Sequence, residues 1–337
     1  MVNYDIHGIV QVVSNEQISR LTPFLVNTLS SAPEIVVKFG NFTPDLRGYK
    51  RIKKCWIEDR SLYCADRYKT ILFKIWMRGI DTATTTINFY GGPFFDRELF
   101  LALILEPYLT KKLSRFGSLL LHAASFSINN HGYLVSGLTG TGKTTLLLEL
   151  LKMHGAKYLS DDQTIVKGFK IFSYPMPIGF RGHLLSSSNA KTKFYDRMMI
   201  VVGDVINLVT RNYGNWTHRV KAEDIKLNGN AIEVGSSADV RIVFLLNVGV
   251  STGVKKTDKT EALSLLLEHN EKNEDKQKLL FRFFTKYKQV YPEFNYWNRY
   301  DSLLETFSKG DIKFYRVDIP NRYVINDVVN EICKIIE

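Results

Sequence analysis

Three cysteines in 337 residues are too few and too odd in number for a disulfide framework, and Cys55, Cys64 and Cys333 form no C-x-x-C metal pair. They read as buried or incidental thiols. Long apolar runs are also missing. Stretches such as residues 99–105 fall far short of the ~20 residues that cross a bilayer. The opening residues, MVNYDIHGIVQVVSNEQ, lack the basic start and long apolar stretch of a signal peptide and carry Asp5 and Glu16. The expectation is a cytoplasmic protein with no membrane partner. Acidic residues are the scarcer charge, 34 against 45 lysines and arginines, for a net +11. That excess suits a polyanion, a nucleotide or an acidic protein partner without choosing among them. With 45% hydrophobic and 23% charged residues, the chain is neither largely disordered nor collagen-like. Its length suggests about two domains at roughly 150 residues each.

The densest basic run is Arg47, Lys50, Arg51, Lys53 and Lys54. No helix-turn-helix, zinc-finger or RNA-recognition pattern accompanies it, so it reads as a solvated or partner-docking face and nucleic acid is not the expected partner. Internal repeats and low-complexity segments are absent. Residues 1 to about 90 read as short Val-, Ile-, Tyr- and Phe-rich strands, for example 34–38, 61–65, 70–77 and 84–90. After the break at Gly91-Gly92-Pro93, a helix capped by Asp96 is expected, kinked or interrupted at Pro107 and ended by Gly117.

From Ser118 the pattern changes. A strand over 119–128, the turn Asn129-Asn130-His131-Gly132 and a strand over 133–136 lead into a glycine-rich loop. A helix over 144–153 follows, closed by Gly155. Next come a strand over 157–160, the pair Asp161-Asp162, and a hairpin around Gly168. Residues 240–248 read as a buried strand, 258–288 as mostly helical and 325–336 as an amphipathic terminal helix. The boundary falls near residue 115, between a mainly β module (1–115) and an α/β module (116–337).

The loop Gly137-Leu138-Thr139-Gly140-Thr141-Gly142-Lys143-Thr144 fits G-x-x-x-x-G-K-[ST] in full, with an apolar strand before it and a Leu-rich helix after it, beginning with Thr144 and Thr145. Glycines let successive N–H groups converge on phosphates, and the helix N-terminus adds favourable partial charge. Lys143 is expected to reach the β- and γ-phosphates, and the Thr144 hydroxyl to ligate Mg²⁺. Asp161 and Asp162 stand at the end of the next strand and, on an extended chain, point to opposite sides. One is suited to hold the metal and the other to accept a proton from an incoming hydroxyl. A hairpin pairing Ile128 with Tyr133 places His122 opposite Thr139, within reach of a phosphate or a catalytic carboxylate.

The stretch LLLHAASFSINNHGYLVSGLTGTGKTTLLLELLKMHGAKYLSDDQTIV resembles the catalytic domain of HPr kinase/phosphorylase and its relatives, P-loop serine kinases related in fold to ATP-dependent phosphoenolpyruvate carboxykinase. The resemblance is specific over residues 118–166, weaker beyond, and leaves residues 1–115 uncovered. It implies an α/β P-loop kinase domain preceded by a smaller mainly β module. It also implies a strand histidine at His122, the Walker residues at Lys143 and Thr144, the base at Asp162 and the metal-side carboxylate at Asp161. The family's EIRGLG-like segment is absent; its nearest echo, Ile178-Gly179-Phe180-Arg181-Gly182, lacks the acid. The chain is thus closer to divergent HPr-kinase-like proteins than to bifunctional enzymes acting on HPr. Arg181 is a candidate to neutralise phosphate charge.

The expected function is transfer of a phosphoryl group from ATP, with Mg²⁺, to a hydroxyl on a protein, peptide or small molecule, which the basic excess allows to be acidic. A P-loop ATPase or nucleotide-dependent switch is the alternative. The sequence is compatible with a homo-oligomer.

Overall fold

The computed structural model describes residues 1–68, 70–92, 97–209, 217–249, 251–274, 279–294, 307, 310–320 and 325–337. The chain forms two compact units, Met1–Gly117 with Asp275–Arg299, and Ser118–Glu274 with Tyr300–Glu337. A single continuous stretch from 116 to 337 was the expectation, and residues 275–299 depart from it. The helix Leu279–Val290 explains why. It buries Phe281, Phe283, Phe284 and Tyr287 on one face, with Phe283 against Phe73 (5.9 Å between ring centroids) and Phe284 against Tyr108 (6.2 Å). Aromatic side chains of that size stabilise by several kcal/mol when removed from water, roughly 1.5–3 kcal/mol each.

The first unit is built on a nine-stranded sheet. From edge to edge its order is Leu25–Val26, Val2–Ile6, Val10–Ser14, Ile35–Phe39, Thr85–Gly91, Ile71–Arg78, Ser61–Tyr68, Cys55–Glu58 and Lys50–Ile52. Alternating residues such as Phe73, Ile75 and Met77 are buried while Lys74, Trp76 and Arg78 face the other way, the period-2 signature of a sheet with one core face. Cys55 and Cys64 are directly opposed on adjacent strands and are disulfide-bonded. The thiol reading therefore fails for this pair, because a nine-residue spacing says nothing until the hairpin sets the register. Cys333 remains a free thiol.

Asp96 and Pro93 lie outside the described residues. The helix that follows runs as Arg97–Phe100, then a π-helical turn Leu101–Leu105, then Glu106–Arg115. Pro107 does not interrupt it. The wider turn just before the proline accommodates its missing N–H, and the helix continues to Arg115, with Gly117 two residues beyond it at a φ of +64°.

The second unit has a mixed sheet with helices on both faces, an α/β arrangement. Its path is Ser118–Leu121, Thr164–Lys167, Lys170–Phe172, Ser237–Val248, His131–Ser136, Ala123–Ile128 and Ala156–Ser160, with Lys313–Ile319 joined in parallel to Ser237–Val248. The central strand alternates between two cores. Ile242, Phe244 and Leu246 pack with Leu146, Leu150, Val328 and Ile332 of the helices Lys143–Leu150 and Ile325–Ile336. Val243 and Leu245 pack on the opposite side with Ala262, Leu266 and Phe314. Among the described residues no helix is long and apolar enough to cross a membrane.

Three local expectations change. The hairpin turn is only Asn129-Asn130, both left-handed (φ 50° and 65°), so Ile128 opposes His131 rather than Tyr133. Two consecutive positive φ values are what a two-residue type I′ turn requires, and Asn tolerates them. The strand expected over 119–128 is broken at His122, because Ser118–Leu121 pairs with Thr164–Lys167 whereas Ala123–Ile128 pairs with His131–Ser136 and Ala156–Ser160. His122 is therefore not opposite Thr139. The helix after the loop also stops at Leu150, several residues before Gly155.

Phe283→Ala should lower the stability of the first unit by about 3–5 kcal/mol, as for other buried large-to-small changes. Urea denaturation measures this, and a loss under ~1 kcal/mol would exclude the helix Leu279–Val290 from that unit's core.

Candidate functional site

Strand direction brings the site together. His131–Ser136 and Ala156–Ser160 both run antiparallel to Ala123–Ile128, which lies between them. The ends of the outer two and the start of the middle one therefore share one sheet edge. Ala123 faces Ser136, and Ser125 faces Ser160. The loop after Ser136, the aspartates after Ser160 and His122 before Ala123 follow from that arrangement.

The loop is shaped by close packing. A Cβ on Gly137 would lie 2.7 Å from Thr141 Oγ1 and 2.9 Å from Leu246 Cβ, so only glycine lets the strand end fold this tightly. Gly142 precedes the helix at φ 95°, a left-handed conformation that favours glycine. Thr141 closes the turn, with its N–H and its hydroxyl both donating to the Leu138 carbonyl (3.2 and 2.8 Å).

A cleft of about 410 Å³ opens on this edge. Of the residues singled out from the sequence, it is lined by His122, Thr139, Gly140, Gly142, Lys143, Thr144, Thr145, Asp161, Asp162 and Arg181. Gly137, Leu138 and Thr141 support the loop from behind. Thr139 and His122 share the cleft even though the register that paired them does not hold.

Lys143 is buried, and its ammonium donates to the carbonyls of Gly137 (2.8 Å) and Leu138 (3.2 Å). Burial pushes its pKa down, opposed by the charges of Asp162 and Asp161. Thr144 Oγ1 donates to Asp161 Oδ1 at 2.8 Å. Burial, reinforced by the neighbouring Asp162 charge, raises Asp161 to about 6, against the lowering effects of Thr144, Lys143 and Arg219. Asp162 points the other way, half exposed, with Oδ1 3.4 Å from His122 Nδ1. The two acids thus take opposite sides, one beside the Thr144 hydroxyl and one beside the histidine.

The helix Lys259–Glu274 supports this edge. Asn270 Oδ1 accepts from the His122 backbone N–H at 2.7 Å, and its own amide donates to the Leu266 carbonyl at 2.7 Å. His269 Nδ1 pairs with Ser136 Oγ at 3.2 Å. Burial, with the Lys143 charge adding to it, lowers His269 to about 4. Arg181 precedes the short helix Gly182–Ser188, whose Gly182 N–H donates to Asp204 Oδ2 at 2.8 Å. Gly179, Leu184 and Thr217 complete the lining. Gly179 belongs to the segment already noted around Arg181; sequence reading missed Leu184, Thr217, Asn270 and His269, since none lies in a recognisable motif and each arrives by tertiary packing.

Hard oxygens at Thr144 and Asp161 are the donor type Mg²⁺ prefers. Among the described residues no three His, Cys, Asp or Glu side chains cluster to hold a metal by themselves. A Mg²⁺ ion here would need oxygens from its ligand as well, the usual arrangement when it accompanies phosphates.

No protein-family model matches the chain, and no curated protein is similar to it in sequence. Among solved structures, the Hpr(Ser) kinase/phosphatase from Coxiella burnetii aligns with 65% of this chain and 99% of its own, at 10% identity and a TM-score of 0.24. That is a weak likeness of fold, from which no activity follows.

Asp161 and His269 pull stability in opposite directions with pH. Between about pH 4 and 6 the folded chain holds a proton on Asp161 that the unfolded chain has lost, so this group makes stability fall as pH rises. Between about pH 4 and 6.5 the unfolded chain holds a proton on His269 that the folded chain lacks, so this group makes stability rise. Each contributes about 3 kcal/mol across its window. Asp161→Asn should therefore unmask a rise from pH 4 to 6.5, and His269→Gln a fall. Urea unfolding at stepped pH reads both, and unchanged profiles in the two variants would contradict the assignment.

Proposed function

We propose that the second unit is a P-loop kinase domain of the HPr kinase and phosphoenolpyruvate carboxykinase type, moving the γ-phosphoryl group of ATP to a hydroxyl on a protein, peptide or small molecule. One observation carries the reading. The glycine loop, the Thr144–Asp161 oxygen pair and the His122–Asp162 pair open into the same cleft around Lys143. Its size falls within the range of small-ligand sites, about 300–1,000 Å³.

Each side chain then has a task. The loop N–H groups and the start of the helix Lys143–Leu150 bind phosphate oxygens. Lys143 exchanges its loop carbonyls for phosphate, which relieves the cost of burying its charge. Thr144 and Asp161 would hold Mg²⁺, and at pH 7 the Asp161 carboxylate is mostly ionised because its pKa is about 6. When bound, Mg²⁺ supplies charge neutralisation across the phosphates. Asp162, open to solvent, accepts the proton of the incoming hydroxyl, while His122, held through its backbone by Asn270, positions that carboxylate. Arg181, at the rim, faces the charge that develops on the transferring group. Positioning and electrostatics supply most of the rate in this chemistry.

Incubation with γ-labelled ATP, Mg²⁺ and a cell extract tests the reading. Label should move onto an extract component, Lys143→Ala should abolish transfer, and Asp162→Asn should retain ATP binding while losing about 10²–10⁴-fold in transfer. Label released only as free phosphate would mean that Asp162 activates water, as in an ATPase or switch. Absence of binding heat from ATP and GTP with the folded protein would overturn the nucleotide site itself.

A further inference from the structure

The first unit carries a feature outside this chemistry, on the sheet face opposite its apolar core. Register places Arg51, Trp56, Tyr63 and Trp76 in one row across four strands. The Arg51 guanidinium lies over the Trp56 ring (5.0 Å to the centroid) and that of Arg78 over Trp76 (4.4 Å). Lys74 stands over Tyr90, its cross-strand neighbour, at 5.7 Å. Three cation–aromatic pairs thus share one surface, and both arginines are exposed.

Charge around the row is one-sided. Residues 47–78 hold ten lysines and arginines against three acids. Arg51 is further fixed by Nε donating to the Lys53 carbonyl at 3.1 Å. A guanidinium already held over an indole loses little further freedom when its free N–H groups meet a planar anion, so these arginines are pre-organised for carboxylate or phosphate.

The aromatic content decides between the two. Base stacking needs open rings, but the two indoles already carry the chain's own guanidiniums and Tyr63 is only 7% exposed. Trp, Tyr and Arg are instead the residue types that dominate protein–protein hot spots. We propose that this face docks an acidic polypeptide segment, its carboxylates taken by the Arg51 and Arg78 forks. The proposal is independent of the kinase reading.

Fluorescence anisotropy of the full-length protein with a labelled Glu-rich decapeptide tests it, beside a labelled thymidine decanucleotide. The peptide should bind, and Arg51→Gln/Arg78→Gln should weaken it about tenfold or more. Lys256→Gln/Lys334→Gln, which removes the same charge from exposed positions of the second unit, should change it less than about twofold. Arg51→Lys/Arg78→Lys keeps the charge, removes the forks, and should still weaken binding severalfold while leaving the urea transition in place. Equal losses in the two Gln doubles, full rescue by lysine, no peptide binding at low salt, or tighter and Arg51-dependent oligonucleotide binding would each overturn the proposal.

Discussion

A buried ammonium governs the cleft of the second unit. Taking Lys143 out of water is costly unless partners surround it, and the chain supplies them in layers. Two loop carbonyls accept hydrogen bonds from it, Asp161 and Asp162 contribute opposite charge, and its own charge helps keep the nearby His269 neutral. The tight turn at Gly137 matters for the same reason, since it brings a carbonyl within 2.8 Å of the ammonium. Substitutions that loosen this turn would strand a charge as well as distort a loop.

Much of this was legible in the sequence because it is local. The glycine spacing, the apolar strand before it and the helix after it are consecutive in the chain, and so is the Asp161-Asp162 pair. Sheet strands read from period 2 also lie where alternation put them, as in Ile71–Arg78 and Thr85–Gly91. What failed was pairing. A four-residue turn over 129–132 puts the hairpin register two residues away from the observed one, which turns on Asn129-Asn130 alone. The Cys55–Cys64 bond waited on a register of the same kind. Helix Phe194–Val209 was legible but passed over: eight apolar side chains, Phe194 and Leu208 among them, recur at helical spacing on one face, and that face is exposed rather than packed in a core. Asn270 and His269 escaped because a helix 130 or more residues away in sequence supplies them.

The cleft and the aromatic row handle charge differently in physical terms. In the cleft, Lys143 and Asp161 are buried and each is answered by specific partners, so protonation and stability are linked. On the row, Arg51 and Arg78 stand over aromatic rings at the surface. Solvent still reaches them, and salt would weaken their long-range attraction.

The interleaved chain has a consequence for synthesis. The first unit is closed by the helix Leu279–Val290, which follows most of the second unit in chain order. At about 5–20 residues per second, a ribosome needs roughly 8–30 s to travel from residue 117 to that helix. Throughout that interval the nascent chain carries Phe73 and Tyr108 without their aromatic partners Phe283 and Phe284. The N-terminal sheet is therefore born first and finished late, and that delay is when a holdase would meet it.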